Sequence, residues 1–231
     1  MIKGKTQGFS LKKFTAAVIG VGGLGCNIAT HLAGAGIGRL LLFDFDKISE
    51  TNLNRQFLYT KDSIGEDKVF EAKKRLEEYS ETVCKAYNIK ITENNIPEEL
   101  KTADIIFLAA DNLEARKALT EFSEENKIPL VFGGIDGFYG KTYLYIPNIT
   151  PCPECAGIIE GGKTKSNISA AAGIIGSLQA ALGIQYLLTK DISLGGKITV
   201  YDSDTFSSLK IISSPKCKTC KNIQRKKDLD D

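Results

Sequence analysis

A single histidine, His31, occurs among the 231 residues. That scarcity excludes a metal site built on paired imidazoles. It also argues against a Ser-His-Asp triad, because residues 30–33 read as the interior of a helix. The opening stretch, MIKGKTQGFSLKKF, has no apolar core of the kind an export signal carries, so a cytoplasmic protein is expected. The net charge is only +2, and no basic stripe with interleaved aromatics is present, so no nucleic-acid partner is expected. The locally basic tail, 216–227, reads as a solvated terminus. The longest uncharged apolar stretch, 168–188, contains Ser169, Ser177, Gln179 and Gln185 and is rich in Ala and Gly. It reads as a helix buried in a core or a subunit interface, and no membrane association is expected. There is no internal repeat and no low-complexity linker.

What is present alternates. Residues 14–20 (FTAAVIG), 39–46 (RLLLFDFD), 82–91 (TVCKAYNIKI), 104–110 (DIIFLAA) and 129–134 (PLVFGG) read as strands. Helical spacing fills the gaps, over 65–79 with Val69, Ala72, Leu76 and Tyr79 on one face, and over 112–125. Such alternation predicts a parallel α/β sheet with ligands at the carboxyl ends of its strands. Residues 138–146 and 197–202 read as further strands, antiparallel to their neighbours, with a helix over 169–190 between them. One domain with a C-terminal extension is expected.

The first turn, GVGGLG from Gly20 to Gly25, follows a strand and opens a helix, which is the setting a G-x-G-x-x-G phosphate cradle needs. Gly20, Gly22, Gly23 and Gly25 permit the tight turn, the backbone approach to phosphate and close helix packing. Taken alone the turn suits NAD, FAD or ATP equally. Asp44 closes the second strand, where an acid can accept from ribose hydroxyls, and Asp46 shares that edge with a lesser part. The next segment, SETNLNRQF, brings Asn52 and Gln56 as polar groups and Arg55 as a cation with a bidentate fork. Lys68 opens the next helix as a mobile point charge. Together these form a phosphate clamp suited to a triphosphate. Asp111, at the end of the fourth strand, is a natural Mg²⁺ ligand beside phosphates, although Asp111 or Asn112 would serve equally as a helix cap.

Cys152-Pro-Glu-Cys155 and Cys217-Lys-Thr-Cys220 form two C-x-x-C knuckles separated by 61 residues. Each knuckle puts two thiolates on one side of a turn, and two knuckles complete a closed, structural Zn²⁺ shell. Neither pair follows a strand and opens a helix, as a redox pair would. Residues 157–164 match the P-loop expression but follow prolines and a knuckle instead of a buried strand, so they read as a crossover loop.

GVGGLG, DFDKISETNLNRQF, Lys68, AADN and the paired knuckles together resemble the MoeB/ThiF/HesA family, relatives of ubiquitin-activating enzymes, over about residues 8–221. The resemblance implies a Rossmann-like, mainly parallel sheet with helices on both faces, an antiparallel extension and a four-cysteine zinc site. It implies one adenylation domain over 1–231, with a nucleotide-binding core at 8–147 and a zinc-knuckle extension with crossover loop at 148–231. It further implies ATP and Mg²⁺ as cofactors. A ubiquitin-fold sulfur-carrier protein ending in Gly-Gly would be the partner, its terminal carboxylate attacking the α-phosphate. Asn52, Arg55 and Lys68 would hold phosphates, Asp111 would hold Mg²⁺, and Asp44 the ribose. A homodimer is implied as well. The family pattern departs in two places. The first 14 residues hold no arginine to reach a partner subunit's ATP; Lys3, Lys5, Lys12 and Lys13 are the available substitutes. No cysteine lies between Cys155 and Cys217, so no thioester is expected and sulfur would come from a separate persulfide donor. Two further readings stand beside this one: an NAD(P)-dependent oxidoreductase, and a non-catalytic partner of the same fold.

Overall fold

The computed structural model describes residues 10–159, 168–214, 216–217 and 219–220. Five strands run parallel: β1 (Thr15–Ile19), β2 (Arg39–Asp44), β3 (Val83–Asn88), β4 (Ile105–Leu108) and β5 (Leu130–Asp136). Three follow antiparallel: β6 (Tyr139–Tyr145), β7 (Lys197–Asp202) and β8 (Thr205–Lys210). All eight join one sheet in the order β3-β2-β1-β4-β5-β6-β7-β8. The helices are α1 (Gly23–Gly34), α2 (Lys68–Tyr79), α3 (Leu113–Asn126) and α4 (Ser169–Thr189).

Central strands are apolar on both faces because both faces are covered. Ala16 and Val18 of β1 join α1, α2 and α4 in one cluster that includes Ile28, Leu32, Val69, Leu76, Ile175 and Leu187. The alternate residues Ala17 and Ile19 join α3 and the first knuckle in another, with Leu119, Phe122, Cys152 and Ile158. Period two in the strand thus sorts one sequence run between two cores.

The apolar stretch near the C-terminus forms α4, whose end residues are Ser169 and Thr189. Among the described residues it alone has the length and apolarity to cross a membrane, and half of it is buried within the fold. It is seated through glycines. A Cβ on Gly183 would collide with the Phe107 ring, one on Gly176 would lie 2.7 Å from Asn27 Cβ, and one on Gly140 of β6 would collide with Ile175. Strand β8 carries no alternation in its exposure, being open along its whole length, and sequence periodicity did not mark it.

β1 lies between β2 and β4, so the chain leaves it toward opposite edges and a crevice opens beyond its carboxyl end. Gly20 stands at that point with φ +87°, and a side chain there would press within 3.1 Å of the Ala109 and Ala110 backbone. Glycine alone meets both demands.

Candidate functional site

The crevice is a cleft of about 740 Å³. Gly20, Gly22, Gly23, Asp44, Asp46, Asn52, Arg55, Gln56, Lys68 and Asp111 all line it. Gly25 does not. A Cβ on Gly25 would collide with the Gly20 carbonyl oxygen, so its task is to let α1 close onto the turn. Gly22 occupies the N-cap of α1 and brings no side-chain acceptor to the first-turn N–H groups. Those groups, with the positive end of the helix, favour an anion.

Asp44 ends β2 with its carboxylate buried. Oδ2 accepts from Val21 N–H at 2.6 Å and Oδ1 from Asp46 N–H at 2.9 Å. Burial pushes its pKa above the ordinary aspartate value, against the pull of those amides and of Lys68. Each oxygen keeps a further lone pair for a ribose hydroxyl. Asp46 lines the same cleft and carries an ion pair. Its Oδ2 pairs with Lys68 Nζ at 2.8 Å, and its carbonyl accepts from Lys68 N–H at 3.0 Å. Lys68, 6% exposed, is therefore a fixed cation at the head of α2 and not a mobile one.

The segment after β2 turns through a short 3₁₀ helix, Glu50–Asn52. Asn52 Oδ1 accepts from Ser49 N–H at 3.2 Å, which leaves its amide nitrogen to face a ligand. Arg55 lays its aliphatic stem over Gly23, 3.5 Å from where a Cβ would stand. Its Nη1 donates to Thr51 O and Asn54 Oδ1, so that corner of the fork is bonded to its own loop. Gln56 is 3% exposed, and its Oε1 has no hydrogen-bond partner. An orphaned acceptor on a cleft wall suits a polar ligand in that cleft.

Asn112, not Asp111, caps α3: its Oδ1 accepts from Ala115 N–H at 2.7 Å. The Asp111 carboxylate is exposed in the cleft and is not consumed by the helix. A carboxylate beside a phosphate cradle and two cations fits a divalent ion bridging phosphates. Arg116 and Lys141 also line the cleft, and both escaped the sequence reading. Arg116 is 8% exposed. Its signal was a charged residue standing among the buried positions of α3. Lys141 Nζ donates to Gly157 O at 3.2 Å.

The four knuckle sulfurs lie within 4.8 Å of one another. Cys152 Sγ is 3.5 Å from Cys217 Sγ, and Cys155 Sγ is 3.7 Å from Cys220 Sγ. Tetrahedral Zn–S bonds of about 2.3 Å put sulfurs about 3.8 Å apart. Cys152 N–H and Ser214 N–H donate to Cys220 and Cys155 sulfurs, the partners thiolates need. Geometry and donor set therefore fit zinc. Cys26 and Cys84 are buried, and burial pushes each thiol up to about 12, which suits neither nucleophile nor acyl carrier.

No strand precedes the P-loop-like segment at 157–164; residues 153–157 form turns. Its later part, with the rest of the crossover at 160–167, lies outside the described residues, as do Lys3, Lys5 and most of the basic tail. Lys12 pairs with Glu81, and Lys13 lies over the Phe14 ring.

The ThiF family model matches residues 2–222. A sulfur carrier protein adenylyltransferase from Thermus thermophilus is 30% identical over 236 residues, which covers 96% of this chain and 87% of that protein. An adenylyltransferase and sulfurtransferase from Aedes aegypti is 34% identical over 224 residues, covering 91% of this chain. The chain spans about half, 50%, of that mosquito protein's length. Among solved structures, E. coli MccB with ATP superposes with a TM-score of 0.80 at 24% identity, over 91% of this chain and 67% of that one, a likeness of fold.

Proposed function

The chain belongs to the ThiF family, and on that premise we propose that it adenylylates the C-terminal glycine of a ubiquitin-fold sulfur-carrier protein ending in Gly-Gly. ATP is the nucleotide, Mg²⁺ its companion, and pyrophosphate the product released. A carboxylate oxygen of the carrier forms a bond to the α-phosphorus while the α–β phosphoanhydride bond breaks. Its electron pair leaves with pyrophosphate, and an acyl-adenylate remains. The observation that carries this reading is convergence: the Gly20 turn, Arg55, Lys68 and Asp111 all border one cleft. A hydride-transfer enzyme would have no use for two cations and a free carboxylate beside its dinucleotide, and an inactive partner would have no use for any of them.

In this reading the Gly20–Gly23 amides cradle phosphate and Asp44 holds the ribose. Asn52, Arg55, Gln56 and Lys68 bind the phosphates, and Asp111 would hold Mg²⁺, whose charge offsets the negative charge developing on the leaving oxygens. The work is positioning and electrostatics, with no covalent step on the protein. Buried Cys26 and Cys84 support an acyl-adenylate that passes directly to a persulfide donor. Zinc at the four cysteines would be structural, since a closed shell leaves no site for substrate. A cytoplasmic location suits six unpaired cysteines. A homodimer belongs to the reading too, with the exposed side of α4 available to it.

The test is pyrophosphate–ATP exchange with purified chain, Mg²⁺ and Gly-Gly-ended carriers encoded nearby. Exchange should depend on the carrier and should fall about 10²–10³-fold in Asp111→Ala. Absence of exchange with every such carrier, from a chain that binds ATP, would end this reading. Full activity in Asp111→Ala would remove the metal role.

A further inference from the structure

Asp111 sits between two peptide groups that α3 holds in place. Behind it, the Ala110 carbonyl accepts from Arg116 Nε at 3.3 Å; ahead of it, Asn112 caps the helix. The same guanidinium donates Nη2 to Gly133 O of β5 at 3.1 Å and Nη1 to Ile158 O at 2.8 Å. Ile158 lies just beyond the Cys152–Cys155 knuckle, where the crossover begins. One buried side chain therefore ties together the end of β4, the middle of β5, α3 and the knuckle.

Its chemistry matters as much as its place. These three acceptors are all backbone carbonyls, and burial lowers the Arg116 pKa while the nearby Asp111 charge works the other way. A buried cation without a close carboxylate is costly, and packing alone would be served as well by an apolar side chain. Three acceptors in three directions call for a planar fork with several donors, which lysine lacks.

We propose that Arg116 is a positioning residue for the metal-binding carboxylate: it fixes the peptide that carries Asp111 and sets that carboxylate's distance from the phosphates. It acts through that peptide, since Nε, Nη1 and Nη2 are each engaged by a backbone carbonyl. Through Ile158 it also makes the Asp111 position depend on how the crossover leaves the knuckle. This inference rests on the assignment of Mg²⁺·ATP to the cleft.

The experiment is calorimetric titration of ATP into the full-length chain at graded Mg²⁺, with wild type, Arg116→Lys and Ser123→Ala. Ser123 lies on the same helix, is fully buried and donates to Ile128 O far from the cleft, so it reports lost helix stability alone. Arg116→Lys should raise the Mg²⁺ concentration at half-saturation about tenfold. ATP affinity without Mg²⁺ should stay within about twofold, and Ser123→Ala should match wild type at every Mg²⁺ level. If Arg116→Lys does not fold, Arg116→Gln is titrated in its place with the same expectation. A wild-type half-point retained in the folded Arg116 variant, or a shift equalled by Ser123→Ala, overturns the proposal alone. A wild-type chain that binds no ATP overturns the nucleotide reading and this proposal together.

Discussion

Two glycines of one turn do different work, although the motif writes them alike. Gly25 has no room for a methyl, because the Gly20 carbonyl occupies the space. Gly22 has room, its nearest neighbour being Gln56 Nε2 at 3.7 Å, but it lines the cleft. Gly25→Ala should therefore lower unfolding free energy by about 1–3 kcal/mol in a urea melt. Gly22→Ala should cost about 1 kcal/mol or less and act mainly on ATP affinity. Equal stability losses would mean that the turn relaxes around Gly25 and the packing account is wrong. Asp44, Lys68 and Asp111 were legible as cleft-lining positions because each stands where a strand ends or a helix starts. The pairings were not. Asp46 meets Lys68 across 22 residues of chain, and Arg55 folds back on Thr51 and Asn54. Local spacing does not encode the first contact, and the acceptors of Arg116 on Gly133 and Ile158 are likewise distant in the chain.

At the scale of elements, buried central strands announced themselves as unbroken apolar runs, and α1 to α4 by their periods or their lack of charge. β8 did not, since an edge strand open to water need not alternate. Neither did the sheet order, which depends on which side each crossover takes. The composition of α4 now has a cause: its Gly and Ala positions are notches that let it approach α1 and the sheet. Gly183→Ala drives a methyl into the Phe107 ring, whose surroundings are fully packed. It should destabilise by about 1–3 kcal/mol. Gly34→Ala, at the exposed end of α1 with nothing within 4 Å, should instead stabilise by up to about 1 kcal/mol. Thermal melts should move in opposite directions, by about 2–4 °C for each kcal/mol in a chain this size. Two shifts of the same sign would contradict the notch account.

For the molecule as a whole, a division near residue 147 is natural on paper, since the parallel core precedes it and the cysteine knuckles follow. Packing runs across that line. One core unites Val18 and Leu24 with Ile175 and Leu187, and the other unites Ile106 and Leu119 with Cys152, Ile158 and Ile198. β6 and β7 pair within the same sheet, so the later segment has no core of its own to fold around. A metal at the four cysteines would then fasten the last described residues, Cys217 and Cys220, onto a core shared by both halves. Metal analysis should find about one zinc per chain, and Cys217→Ser should lose it. Stripping zinc with a chelator should lower the urea midpoint, because a ligand held only by the folded state adds its binding free energy to stability. The transition should stay single and be seen alike by far-ultraviolet circular dichroism and tyrosine fluorescence. If two steps appeared instead, with the knuckle segment melting first while ATP still bound, residues beyond 147 would be a separable module, and the shared core would be two cores in contact.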